Sequence, residues 1–130
     1  VNSILNKLDR DQKPFFLMIE GSQIDWGGHA NDINYVVSEF KDFDGAVQTV
    51  LDYTRENPNT LVIVTADHET GGLSLTKGSV KKMKPEATFS SIGHTATMVP
   101  VFSIGPSASK FSGIYDNTTI FTKMLSVLNQ

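Results

Sequence analysis

Three histidines make up the whole histidine complement of this 130-residue chain, and each stands among residues that chemistry can use. His29 follows Asp25 by four residues, a spacing that puts both on one face of a helix. His68 directly follows Asp67 at the end of an apolar run, and His94 sits between Gly93 and Thr95 shortly before another. Glu20 closes a third. There are no cysteines, so any metal must be held by imidazole, carboxylate or neutral oxygen. That donor set suits Zn2+, or a harder divalent ion where oxygen dominates. Each residue also has a plainer reading. Ser22 to Asp25 matches a capping box, with Asp25 bonding the backbone at Ser22. His68 would be a satisfied strand-end histidine, and Glu20 a cap for the next helix. Gly27 and Gly28 lie between Asp25 and His29, where each costs about 1 kcal/mol against alanine if helical. They imply either the close approach of a backbone, ion or substrate, or a loop that has not yet become helix.

Three continuous apolar runs must position these groups: Phe15 to Ile19, Leu61 to Ala66 and Val99 to Ile104. Runs with little alternation fit strands buried on both faces by helices. Pro100 belongs at a first strand position or an edge, because it cannot donate to a ladder. Residues 2–8 read as an amphipathic helical turn. Apolar spacing predicts one helix around Ile33 to Phe40 and another around Val47 to Leu51. Asp42 to Gly45 separates them, and Asp44 would be the second N-cap. A last helix runs from Ile120 to Leu128, with Asn117, Thr118 or Thr119 as cap. Gly71 to Thr76 suggests a short strand, and Lys77 to Gly93 a polar loop whose Lys81, Lys82 and Lys84 read as a solvated run. The expected fold is α/β, a mostly parallel sheet with helices on both faces. In such a sheet ligands bind beyond the carboxyl ends of the strands, where Glu20 and Asp67-His68 fall.

Composition narrows the function classes. Eleven basic and fourteen acidic residues give a net charge of −3, without the basic excess of a nucleic-acid binder. No apolar run approaches the ~20 residues of a membrane helix. With 39% hydrophobic and 19% charged residues, the chain is neither a low-complexity linker nor a charged disordered tail. Its length suits a single domain, residues 1–130, that buries roughly two-thirds of its unfolded surface. The start at Val1, already in helical pattern, suggests a segment of a longer protein.

Three stretches carry a resemblance: Glu20-Gly21-Ser22-Gln23-Ile24-Asp25-Trp26-Gly27-Gly28-His29, Thr65-Ala66-Asp67-His68-Glu69-Thr70-Gly71-Gly72, and Gly93-His94-Thr95. In this order they resemble alkaline phosphatase, over nearly all of the chain but only the carboxyl-terminal part of the family's catalytic domain. The resemblance implies Asp25, His29 and His94 as ligands of a first zinc, Asp67 and His68 as ligands of a second, and Glu20 as a ligand of a magnesium. It implies two zinc ions and one magnesium per full-length chain, and a phosphomonoester substrate attacked by a serine. That serine, its phosphate-clamping arginine and further metal ligands lie upstream in the family, so no catalytic nucleophile is assigned here. Trp26 departs from the Lys or His that some members carry after the zinc aspartate. The family is often dimeric and exported, which implies a homodimer in the periplasm or outside the cell. Two rivals remain at this point. One is a stand-alone, non-catalytic zinc-binding or interaction module. The other is a non-haem iron oxygenase using Asp25, His29 and His94 as a facial triad, against which Asp67-His68 would go unused.

Overall fold

The computed structural model describes residues 1–10 and 13–128. Helix α1 (Asn2–Asp9) buries Leu5, which is 3% exposed. Tyr53 of helix α3 (Ile33–Glu56) donates its hydroxyl to Asp9 at 3.1 Å, tying α1 to α3. Burial first, then that bond and the charge of Asp9, push the Tyr53 phenol above its ordinary value. Helix α2 (Gln23–His29) packs against α3, and the Tyr35 hydroxyl donates to Gln23 across their junction.

Helix α3 runs unbroken for 24 residues, where two helices were expected. Its N-cap is Asp32, whose side chain accepts from the amides of Asn34 and Tyr35 at 2.9 and 3.2 Å. Asp44 lies inside the helix instead of capping a second one. One interior glycine costs about 1 kcal/mol, too little to break a long helix once it is nucleated and packed. Thr49 returns its hydroxyl to the Gly45 carbonyl at 2.9 Å. The expected capping box is also absent: Ser22 makes no side-chain cap bond, which leaves Asp25 available elsewhere.

Six short strands follow: β1 (Val62–Thr65), β2 (Glu69–Thr70), β3 (Ser74–Ser79), β4 (Lys84–Thr88), β5 (His94–Thr95) and β6 (Val101–Ile104). They pair as β1 with β6, β2 with β5 and β3 with β4, and all three pairs are antiparallel. The α/β composition holds, but the mostly parallel sheet is not formed among the described residues. The reason is topological. A parallel neighbour of β1 needs a long crossover. The helices between residues 20 and 61 supply one, yet Phe15 to Ile19 at its far end forms no strand. Beyond β1 the chain makes a loop excursion and returns in the opposite direction, so β6 pairs antiparallel with Val62 opposite Ile104. Pro100 stands one residue before β6 rather than at its first position, and its carbonyl accepts from Thr65 Oγ1 at 3.2 Å.

The polar stretch from Lys77 is not a plain loop. It completes the β3–β4 hairpin, turning through Ser79 to Met83 with Met83 at φ 49°. Backbone ladder bonds hold it without apolar alternation. A 3-10 turn (Ala108–Phe111) and helix α4 (Thr119–Leu128) end the described chain. Before α4, Asp116 accepts from the Thr118 hydroxyl and amide at 2.7 and 3.0 Å. The Thr118 bonds outweigh a small burial effect and hold the Asp116 carboxyl below its ordinary value.

The buried apolar side chains among the described residues are Leu5 and Phe111, 3% and 2% exposed. Phe16, Met18, Phe102 and Ile104 all remain more than half exposed. The sizeable core expected from length is therefore not closed here. Continuous apolar runs need cover on both faces, and two-stranded ladders supply too little.

A methyl group at Gly45 would meet nothing within 4 Å. Gly45→Ala should therefore stabilise the chain by about 1 kcal/mol, read as a raised urea midpoint with an unchanged slope.

Candidate metal centre

Helix α2 delivers Asp25 and His29 from one face, as their spacing requires. Asp25 Oδ2 lies 3.4 Å from His29 Nε2, and Asp25 Oδ1 lies 3.6 Å from His94 Nε2. One ligand atom from each of Asp25, His29 and His94 falls within 4.8 Å of the other two. Two donors bound about 2.0–2.1 Å from one tetrahedral zinc would be roughly 3.3 Å apart, close to these separations. His29 Nδ1 lies 2.6 Å from the Ile92 carbonyl. A carbonyl only accepts, so Nδ1 carries a proton and Nε2 keeps its lone pair.

The second pair adjoins the first. The His68 ring stacks on His94 with centroids 3.5 Å apart and planes 17° apart. His68 Nε2 lies 3.3 Å from Asp67 Oδ2. Asp67 and His68 follow β1 after one residue, Ala66, and Thr70 of β2 stands opposite His94 of β5. The structure thus brings five of the six expected ligands into one neighbourhood. Glu20 lines a concavity with Gly21, Gln23, Glu39 and Asp42.

Glycines make this approach possible. A methyl group at Gly27 would come within 2.9 Å of the Val36 backbone nitrogen, and one at Gly28 within 2.9 Å of both Thr70 Cβ and Thr70 O. What approaches the pair is backbone, within a helix that includes both glycines. Gly71, at φ +92°, carries the chain past Phe89 and Gly28. Its carbonyl accepts from the amides of Ser90 and Ser91, and its amide donates to Gly93, each at 3.0 Å. These bonds fix the loop that presents the Ile92 carbonyl to His29 and leads into His94.

The sequence reading assigned no role to Glu69 or Thr70, although both lie inside a motif it singled out. Glu69 accepts from the amides of Gly72 and Leu73 at 3.1 and 3.0 Å and from the Thr95 hydroxyl. Burial pushes its carboxyl up. The bonds from Thr95, Leu73 and Gly72, with the nearby His68, outweigh that and hold it below the ordinary value. Thr70 donates its hydroxyl to Asp25 Oδ1 at 2.5 Å. Acid and hydroxyl side chains beside a histidine are a usable signal, but only the fold says which partner each one reaches.

A family model described as alkaline phosphatase matches residues 1–88. This chain belongs to the alkaline phosphatase family. It is 29% identical to alkaline phosphatase 3 of Bacillus subtilis over 98% of its own length and 43% of that protein. It is 33% identical to alkaline phosphatase of Escherichia coli, over 93% of this chain and 29% of that one. Among solved structures, alkaline phosphatase from the Antarctic bacterium TAB5 superimposes with a TM-score of 0.87 at 50% identity, covering 95% of this chain and 37% of that one. A histidine-to-aspartate variant of the same enzyme, solved with magnesium bound in its M3 site, also gives a TM-score of 0.87. The chain thus spans less than half the length of these alkaline phosphatases.

Two outcomes follow from the site's packing. Gly28→Ala should destabilise by about 1–3 kcal/mol, as overpacking against backbone does, visible as a lowered thermal midpoint. The Glu69 clamp contributes in full above the ordinary glutamate value of about 4.3 and is lost as pH falls through the lowered folded value. Amide exchange at Gly72 and Leu73 should lose protection across that acid window, and Glu69→Gln should remove the pH step.

Proposed function

We propose that this chain is the part of an alkaline phosphatase catalytic domain that supplies most of the metal ligands, and that the whole protein hydrolyses phosphomonoesters. The observation that carries this reading is the convergence of Asp25, His29 and His94 within 4.8 Å, inside a chain of that family. Asp25, His29 and His94 would hold one zinc, Asp67 and His68 a second, and Glu20 would contribute to a magnesium site. The donor chemistry fits: one carboxylate and two imidazoles, one with its proton committed to a backbone carbonyl, suit a catalytic zinc that keeps an open position. Metal ions held by these residues would supply Lewis-acid charge neutralisation for a phosphoryl displacement.

The chain's own residues do the positioning. Asp25 places a negative charge between His29 and His94. The Ile92 carbonyl holds the His29 ring, and Glu69 holds the turn after β2 while reaching the hydroxyl of Thr95 beside His94. Trp26 is 59% exposed beside Asp25, so it offers an aromatic face where a cationic side chain would aid phosphate binding. The nucleophilic serine, the phosphate-clamping arginine and the remaining metal ligands would come from the upstream part of the catalytic domain. The exposed faces of Phe16, Met18, Phe102 and Ile104 are apolar surface of the kind that marks an interaction site, and that upstream part would cover them. A homodimer in the periplasm or outside the cell is the matching setting. No described helix is long and apolar enough to cross a membrane. A stand-alone zinc-binding module is the second reading, favoured by the trio lying wholly within this chain.

Zinc titration of the chain should show one strong step that His94→Ala abolishes, weakening as pH falls because a ligating histidine must be neutral. With zinc and magnesium, a chromogenic phosphomonoester should turn over only when the upstream portion is supplied. Asp25→Ala should remove that activity. Robust turnover by the chain alone would overturn the reading of an incomplete catalytic domain. Strong zinc binding with no activity on adding the upstream portion would favour the stand-alone module.

A further inference from the structure

We propose that Thr70 is a positioning residue that fixes the tautomer of His68 and couples that ring to Asp25; its consequence for metal affinity rests on the reading above. Thr70 Oγ1 lies 2.5 Å from Asp25 Oδ1 and 3.1 Å from His68 Nδ1. A hydroxyl has one proton to donate and two lone pairs. An ionised Asp25 can only accept, so the hydroxyl proton is directed at Asp25. The contact with His68 must then run the other way, with Nδ1–H donating to Thr70 Oγ1. His68 is thereby held with its proton on Nδ1 and its lone pair on Nε2, the nitrogen that lies 3.3 Å from Asp67 Oδ2.

The competing tautomer would put the proton on Nε2, toward Asp67. Two observations disfavour it. The Asp67 side chain is 84% exposed and so is served by water, whereas that of His68 is 27% exposed. Protonation on Nε2 would also leave Nδ1 and the Thr70 oxygen as two facing acceptors, with the only hydroxyl proton already committed. In the favoured arrangement the Nε2 lone pair and an Asp67 carboxylate oxygen face each other, an arrangement that a cation between them satisfies. Thr70 is not itself one of the proposed metal ligands. It acts through Asp25 of the first ligand set and His68 of the second, so one side chain links the two. Gly28 makes this possible, because a methyl group there would displace Thr70. The pairing of Thr70 with His94 in β2–β5 holds the hydroxyl in register.

The test uses Thr70→Val, which keeps the branched shape and deletes the hydroxyl, and Thr70→Ser, which restores it. The full-length protein is labelled with 15N-histidine, stripped of metal and read at a pH where histidine is neutral. Wild type and Thr70→Ser should show the Nδ1–H signature at His68, and Thr70→Val should lose it. Chelator competition should then show zinc binding weakened by roughly 10–100-fold in Thr70→Val and recovered in Thr70→Ser. A Thr70→Val protein that keeps the Nδ1–H tautomer, or binds zinc as tightly as wild type, overturns the proposal. If the wild type binds no zinc, the metal reading fails, and the positioning proposal is decided by the tautomer alone.

Discussion

Gly28 and Thr70 meet with no room for a methyl group between them, and the arrangement of the site depends on that contact. On one side, the bare face of α2 lets β2 come close enough for the Thr70 hydroxyl to reach Asp25. On the other, Gly27 lets the same helix turn settle against the Val36 backbone at the start of α3. Each glycine costs helix propensity of about 1 kcal/mol, and side chains at both positions would force the layers apart. Two adjacent glycines in a seven-residue helix are therefore an expense explained by proximity. They set the separation between the helix that carries Asp25 and His29 and the strands that carry Thr70 and His94.

Polar contacts then finish what packing begins. Asp25 accepts a hydrogen bond from the Thr70 hydroxyl, His29 donates one to the Ile92 carbonyl, and Glu69 accepts from two amides and a hydroxyl. These are groups that would otherwise search several rotamers, each held by a partner fixed in a turn or a ladder. The Gly71 bonds to Ser90, Ser91 and Gly93 connect the loop before His94 to the motif that holds His68. The Asp25–His29–His94 cluster and the Asp67–His68 pair are consequently parts of one hydrogen-bonded unit, in which the rings of His68 and His94 stack.

The apolar surface tells a different story from the polar centre. Phe16, Met18, Phe102 and Ile104 belong to runs that read as doubly buried strands, yet they stand exposed. An apolar run is a statement about required cover, and the cover must come from elsewhere in space. The polar constellation finds its partners inside this chain, although those of Asp25 and His29 lie 45 and 63 residues away.

The residues themselves determined a good deal. The four-residue spacing of Asp25 and His29 places them on one helical face wherever that helix packs. The histidine-acid neighbours, the absence of cysteine and the order of the three motifs pointed to a metal site and to the alkaline phosphatase family. Apolar spacing located α1, α3 and α4 and the positions of β1 and β6. Strand direction was not legible, because a run such as Leu61 to Ala66 looks the same beside a parallel or an antiparallel neighbour. The continuity of α3 through Gly45 was not legible either, since packing along 24 residues outweighs one local breaker. The partner of Asp25 was the hardest to foresee. Its sequence neighbourhood offered the Ser22 backbone three residues away, and the fold supplied Thr70, 45 residues away. Local spacing lists which bonds a side chain can make, but long-range backbone approach, permitted here at Gly28, decides which one it makes.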